Sequence, residues 1–209
     1  WQKICKNWKE KYPTFLKEYE FSEWGVNLYH FVDVLGKVMR KGSVVVSDAG
    51  SAFYVPTQAM PIFEWNRYIT SGWQAEMGFT IPWAIGACIA NDNKEVIWIT
   101  WDGSFQFNMQ ELQTIVHYNL PIKLFVWNNN GYLSIRASQD RFFEWRYIWT
   151  DASNWVSFPS LEKIAYAYGI SYLKIENSQE VEMGIRKVLD HSGPMICEVM
   201  CLEKQEIIP

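Results

Sequence analysis

Two short apolar runs, each closed by a polar turn, constrain this chain most. Glu95 to Thr100 leads into Asp102-Gly103-Ser104, and Ile122 to Trp127 leads into Asn128-Asn129-Asn130-Gly131. From Asp102 to Asn129 is 129 − 102 = 27 residues, room for one helix and one strand. A βαβ unit joins parallel strands through such a crossover and returns both turns to one sheet edge. There a carboxylate and an amide oxygen can share a hard divalent cation, and small residues admit phosphate oxygens to backbone N–H groups. Asp102 by itself could equally cap its own turn through an Asx hydrogen bond.

The alternation runs along most of the chain. Val26 to Arg40 carries a helical apolar stripe that Gly42 closes, and Val44-Val45-Val46 reads as a buried strand turning out through Ser47-Asp48-Ala49-Gly50-Ser51. Further helices are expected over Met77–Ala90, from a Ser104 cap to about Tyr118, from Pro159-Ser160 to Tyr168, and over Gln179–Leu189. Further strands are expected over Ser171–Ile175 and Met195–Met200. The fold class is therefore α/β, a doubly wound, mainly parallel sheet with helices on both faces. Ligands of such sheets sit at the carboxyl ends of strands, where the turns after Val46, Thr100 and Trp127 all lie. Residues 1–25 read as a helical lead-in, 26–201 as the domain, and 202–209 as a tail.

Composition narrows the function classes. A net charge of −4 gives no electrostatic reason for nucleic acid binding, and no apolar run reaches the length of a membrane span. Cys5, Cys88, Cys197 and Cys201 form no Cys-x-x-Cys pair and read as free thiols of a reducing compartment, the cytoplasm. His30, His117 and His191 have no catalytic setting and read as surface or cap residues.

The Asp-Gly-Ser turn followed by the asparagine pair resembles the diphosphate and magnesium motif of thiamin-diphosphate (ThDP) enzymes. Further stretches are similar to that family: Thr70-Ser71-Gly72, Glu76-Met77-Gly78-Phe79, Pro82 with Ile85-Gly86-Ala87, Gln110-Glu111-Leu112, and Asn119-Leu120-Pro121. Among its members the chain looks most like acetolactate synthases, over roughly Val26 to Cys201. The resemblance implies the C-terminal, diphosphate-binding domain of a 2-oxo-acid decarboxylase or carboligase, with ThDP and Mg2+ as cofactors. It implies metal ligands in Asp102, the Asn129 side chain and the Gly131 carbonyl. It implies cofactor contacts from Gly50, Ser51, Ala52, Gly72, Gly103, Ser104 and Tyr132, with Met77 wedged against the coenzyme's rings. The stretch Ser51-Ala52-Phe53 departs from the Gly-Gln-His-Gln-like segment of acetolactate synthases and lacks its histidine. Arg136 and Gln139 could meet a substrate carboxylate or lie in a solvated loop.

The resemblance also implies what the chain lacks. Relatives activate the coenzyme with a glutamate from a pyrimidine-binding domain of a neighbouring subunit, and no candidate for it occurs here. No catalytic residue is therefore assigned to the chain, which is expected to be inactive alone and to work in a homo-oligomer. Two alternatives remain: a subunit of a split ThDP decarboxylase, and a non-catalytic domain whose cofactor site Trp101 fills. Twelve tryptophans are far more than a chain of 209 residues ordinarily carries. Trp73, Trp83 and Trp101 stand where the family has small residues, and a Gly→Trp change adds bulk where backbone must approach closely. That clustering fits imposed or misassigned residues better than drift with compensation.

Overall fold

The computed structural model describes residues 1–22 and 24–207. Six strands form one sheet: β1 (Val44–Ser47), β2 (Arg67–Thr70), β3 (Val96–Trp101), β4 (Ile122–Asn128), β5 (Ser171–Ile175) and β6 (Met195–Met200), in the order β2-β1-β3-β4-β6-β5. Every pairing is parallel. The α/β doubly wound architecture expected from the sequence is thus present.

The central strands are buried on both faces, and the core splits into two layers because successive side chains of a strand point to opposite faces. Val45, Ile97, Ile99, Phe125, Trp127 and Cys197 pack beneath α2 (Leu28–Val38), α3 (Ser51–Ala59) and α9 (Val181–Asp190). Val46, Val96, Trp98, Leu124, Val126 and Ile196 pack beneath α4 (Thr80–Ala90), α6 (Leu112–His117) and α8 (Leu161–Tyr168). Asn27 caps α2 by accepting from the Tyr29 and His30 N–H groups, and Ser160 caps α8, which ends at Gly169 with φ 67°.

The strand order sets the site. β1 pairs with β2 on one side and β3 on the other, so the winding reverses between β1 and β3. A crevice opens at such a switch point, at the carboxyl ends of the strands.

Several expectations are corrected. The turn after β1 is present but runs straight into α3, a helix that was not expected, with Gly50 at its start. Ser104 does not cap a helix. The helix begins earlier, as α5 (Asp102–Phe105), passes through a 3-10 segment over Gln106–Glu111 with a kink at Asn108, and resumes as α6. β2 and α7 (Leu133–Phe142) were not expected; β2 is an edge strand of four residues without a fully buried position. His30 is buried rather than on the surface, with Nε2 3.2 Å from the Ser178 carbonyl. The lead-in carries α1 (Gln2–Lys11) and a 3-10 turn over Lys17–Phe21 instead of one helix. The tail expected over residues 202–209 falls partly outside the described residues.

Lys123 enters the core of a strand that otherwise reads as apolar. Its side chain is 1% exposed and donates to the carbonyls of His191 and Gly193, pinning the loop before β6 to the start of β4, with Glu95 3.9 Å away. Lys123→Met keeps the apolar stem and strands these carbonyls. At roughly 1.5–3 kcal/mol for hydrogen bonds to a charged donor, a clear drop in the urea unfolding midpoint is expected.

Candidate functional site

The turns after β1, β3 and β4 meet at the switch point, and Asp102 is the common partner of the latter two. Its side chain is 2% exposed. Oδ1 accepts from the Gly103 N–H at 2.7 Å, and Oδ2 accepts from the Asn129 and Gly131 N–H groups at 3.2 and 3.3 Å. The local sequence explains this convergence. The Asn128 side chain turns back to accept from the Asn130 N–H at 2.8 Å, and Asn130 takes a left-handed φ of 56°. The Asx turn so formed aims successive N–H groups inward. Asn128 thereby serves the backbone, as its position suggested.

Asn129 behaves differently. It is 2% exposed, yet neither atom of its side-chain amide has a hydrogen-bond partner. A buried amide left unpaired costs about 1–3 kcal/mol, so such a group in a native fold calls for a ligand. A buried carboxylate beside an unpartnered amide is an oxygen donor set suited to Mg2+, which takes few carboxylates and fills its shell with phosphate and water. No cluster of three or more His, Cys, Asp or Glu able to hold a metal occurs among the described residues, so a multi-carboxylate cage is not the arrangement here.

Two glycines shape the floor. A Cβ on Gly131 would lie 2.1 Å from the Thr150 carbonyl oxygen, and one on Gly103 would lie 2.4 Å from the Tyr132 ring. The Tyr132 N–H donates to Thr150 at 2.8 Å and its ring stands edge-on to Phe158, closing this side. Above lies a cavity of about 240 Å³ lined by Gly50, Met77, Ser104, Gly131 and Tyr132 together with Ala49, Ala75, Trp101, Leu133, Ser134 and Ile135. That is below the roughly 300–1,000 Å³ of ligand clefts. Trp101 stands in its wall, edge-on to Trp127. Gly50, at φ 59° and ψ −135°, begins α3, so the first N–H groups of that helix, at Ser51 and Ala52, lie beside the cavity. The Ala52 side chain itself belongs to the core. Gly72 is exposed and does not line the cavity.

One site residue went unremarked in the sequence. Asp48, 2% exposed, accepts from the hydroxyls of Thr100 and Thr80, the latter at 3.3 Å. Ser104, whose hydroxyl also approaches Asp48, accepts from the Gly78 N–H at 2.8 Å. The chain Asp48–Ser104–Gly78 ties the β1 turn, the β3 turn and the Met77 loop together. Ser47-Asp48-Ala49 was the only signal, an acid directly after an apolar strand. Arg136 and Gln139 prove structural: Arg136 is buried, 3.7 Å from Asp151 and bonded to the Glu203 carbonyl, while Gln139 clamps both the N–H and the carbonyl of Ile148.

Burial governs the electrostatics. It raises the Asp102 pKa to about 7 against the pull of the surrounding N–H groups, and it raises Asp48 likewise against its hydroxyl partners. Among the described residues neither acid enters an ion pair.

Comparison with known proteins places this geometry in a family. The family model "Thiamine pyrophosphate enzyme, C-terminal TPP binding domain" matches residues 48–199. The acetolactate synthase large subunit of Lactococcus lactis is 31% identical over the whole chain, which covers 35% of that protein. The large subunit of Porphyra purpurea is 28% identical, with 34% of it covered, and the chloroplastic acetolactate synthase 3 of Brassica napus is 28% identical, with 32% covered. The chain spans about a third of the length of the curated relatives it matches.

The raised Asp102 pKa sets a pH dependence. The folded state keeps the Asp102 proton up to about pH 7, whereas the unfolded chain loses it near pH 4, so the folded state binds more protons in between. Stability measured in a chelator should therefore fall as pH rises from about 4 to 7. Asp102→Asn should flatten that slope in urea titrations; an unchanged slope in the variant excludes Asp102 as its source.

Proposed function

The chain belongs to the thiamine pyrophosphate enzymes, as their C-terminal TPP-binding domain, and we propose that it anchors the diphosphate of ThDP through Mg2+ in a 2-oxo-acid decarboxylase or carboligase resembling acetolactate synthase. The observation that carries this reading is the unpartnered, buried Asn129 amide beside the Asp102 carboxylate. Asp102, the Asn129 oxygen and the Gly131 carbonyl hold the metal. The opening N–H groups of α3, with Gly103 and Ser104, hold diphosphate oxygens, because a helix start concentrates unpaired donors and positive dipole. Met77, at the cavity and unbranched, supports the rings of the coenzyme. When bound, ThDP supplies the electron sink for breaking and forming the bond next to a 2-oxo acid's carbonyl carbon.

This chain's residues bind and orient; none transfers a proton to the reacting atoms. In this reading the activating glutamate comes from a pyrimidine-binding domain of the same or a neighbouring subunit. Met77 and Ile135, 36% and 43% exposed at the cavity, lie where such a domain would close over the coenzyme in an oligomer. Three buried free thiols fit a reducing compartment such as the cytoplasm, and no helix among the described residues is long and apolar enough to cross a membrane. One observation favours a second reading, a domain with an occluded site: the Trp101 side chain occupies the wall of a cavity already small for a coenzyme.

Calorimetry of ThDP with Mg2+ separates the two. The chain as it stands should bind weakly or not at all, and Trp101→Gly should give saturable, metal-dependent binding that Asp102→Ala then removes. If Trp101→Gly leaves binding unchanged, Trp101 does not occlude the site. Because the metal needs the carboxylate, Mg2+ affinity in Trp101→Gly should rise with pH up to about 7 and level off above it.

A further inference from the structure

Four of the twelve tryptophans hold the backbone in the left-handed region: Trp65 at φ 71°, Trp145 at 58°, Trp149 at 54° and Trp155 at 72°. The chain's other large aromatics give an internal control. Of eleven tyrosines and twelve phenylalanines, none takes a positive φ among the described residues. Bulky side chains avoid this region because Cβ meets the following carbonyl, whereas glycine enters it freely. A backbone hydrogen bond at or beside each tryptophan holds the turn in this conformation. Asn66 N–H donates to Phe63, Trp145 N–H to Gln139, Trp149 N–H to Asn154, and Val156 N–H to Asp151. Trp155 ends the 3-10 turn Ala152–Asn154, where a left-handed glycine is the usual stop.

Nothing offsets this cost. The four side chains are 70%, 68%, 65% and 84% exposed, so each indole forgoes the burial that normally justifies its size. Trp73, fully exposed in its turn, repeats the pattern without the strained φ. Six other non-glycine residues take a positive φ: Asp92, Asn93, Asn119 and Asn130 are types that tolerate the region, and Ala75 and Glu144 are single instances. Tryptophan is the one bulky type that recurs there, which points to a single cause in decoding: tryptophan and glycine codons differ only in their first base, and the codon UGA changes meaning between genetic codes.

We infer that the cell making this protein inserts glycine at positions 65, 145, 149 and 155, and at 101 in the cavity wall, through a codon that other cells read as tryptophan. Glycine at 101 clears the cavity beside Asp102. Only that fifth position rests on the coenzyme reading; the other four rest on backbone conformation alone.

Tandem mass spectrometry of the protein from its source cells tests this directly, on peptides covering the five positions. Glycine is expected at each. Tryptophan at the four left-handed positions overturns the inference, and tryptophan at 101 alone overturns it there while calorimetry still decides the coenzyme reading. A recombinant chain gives an independent measure. Trp65→Gly, Trp145→Gly, Trp149→Gly and Trp155→Gly should each lower the unfolding equilibrium constant about two- to five-fold. Constants unchanged or raised at all four positions overturn the strain argument.

Discussion

One carboxylate holds the functional edge of this molecule together. Asp102 gathers N–H groups from Gly103, Asn129 and Gly131, and so fastens the turn after β3 to the turn after β4. No helix or sheet hydrogen bond does this, because both turns have already left the ladder. The same oxygens are the natural ligands of a hard cation. Structure and chemistry therefore compete for one group. Burial raises the Asp102 pKa to about 7, so the fold tolerates a protonated acid there, while the proposed metal would use the charged one.

Asp48 repeats the principle one strand over. It stands after β1, buried, and ties the β3 turn and the Met77 loop to its own turn through Thr100, Thr80 and Ser104. Hydroxyls rather than cations serve it, those of Thr100 and Thr80 both at Oδ2, and Oδ1 has no hydrogen-bond partner. A positive side chain here would compete with a metal for the phosphate oxygens and for Asp102. Two buried acids are served only by neutral donors and enter no ion pair among the described residues, a setting that the proposed divalent ion would suit. The switch point between β1 and β3 brings the two acids together, and it follows from strand order alone.

Five of the strands and their parallel character were legible in the sequence because the signals are local. Continuous apolar runs such as Val44–Val46 and Ile122–Trp127, each followed by a polar turn, mark strands buried on both faces, and alternation with helices makes them parallel. The Asp102 and Asn129 turns were legible for the same reason. What stayed hidden depends on partners distant in sequence. β2 is short, lies at the edge and has no fully buried residue, so it carries no hydrophobic pattern. Ser104 reads as a cap because capping is the commonest local use of serine, but its hydroxyl is taken by Gly78, 26 residues away. His30, Lys123 and Arg136 look like surface residues, yet each is buried by a carbonyl contributed from elsewhere in the chain.

Tryptophan is where local and global demands disagree most. A natural sequence keeps backbone preference and tertiary contact in agreement at nearly every position, and departures concentrate where function requires strain. Gly50 is such a departure, a non-helical start to α3 at the cavity, and it is met by the one residue type that suits it. Trp65, Trp145, Trp149 and Trp155 take similar left-handed angles far from the Asp102 turn in sequence, and they do so with exposed indoles. Trp149 and Trp155 flank the segment that packs on Gly131, but none of the four indoles lines the cavity, and packing within the chain does not repay the strain. The backbone at these turns is therefore the more direct witness to the residue the fold accommodates, whereas Trp101, at φ −94°, keeps an ordinary extended backbone and is judged by the space beside Asp102 instead.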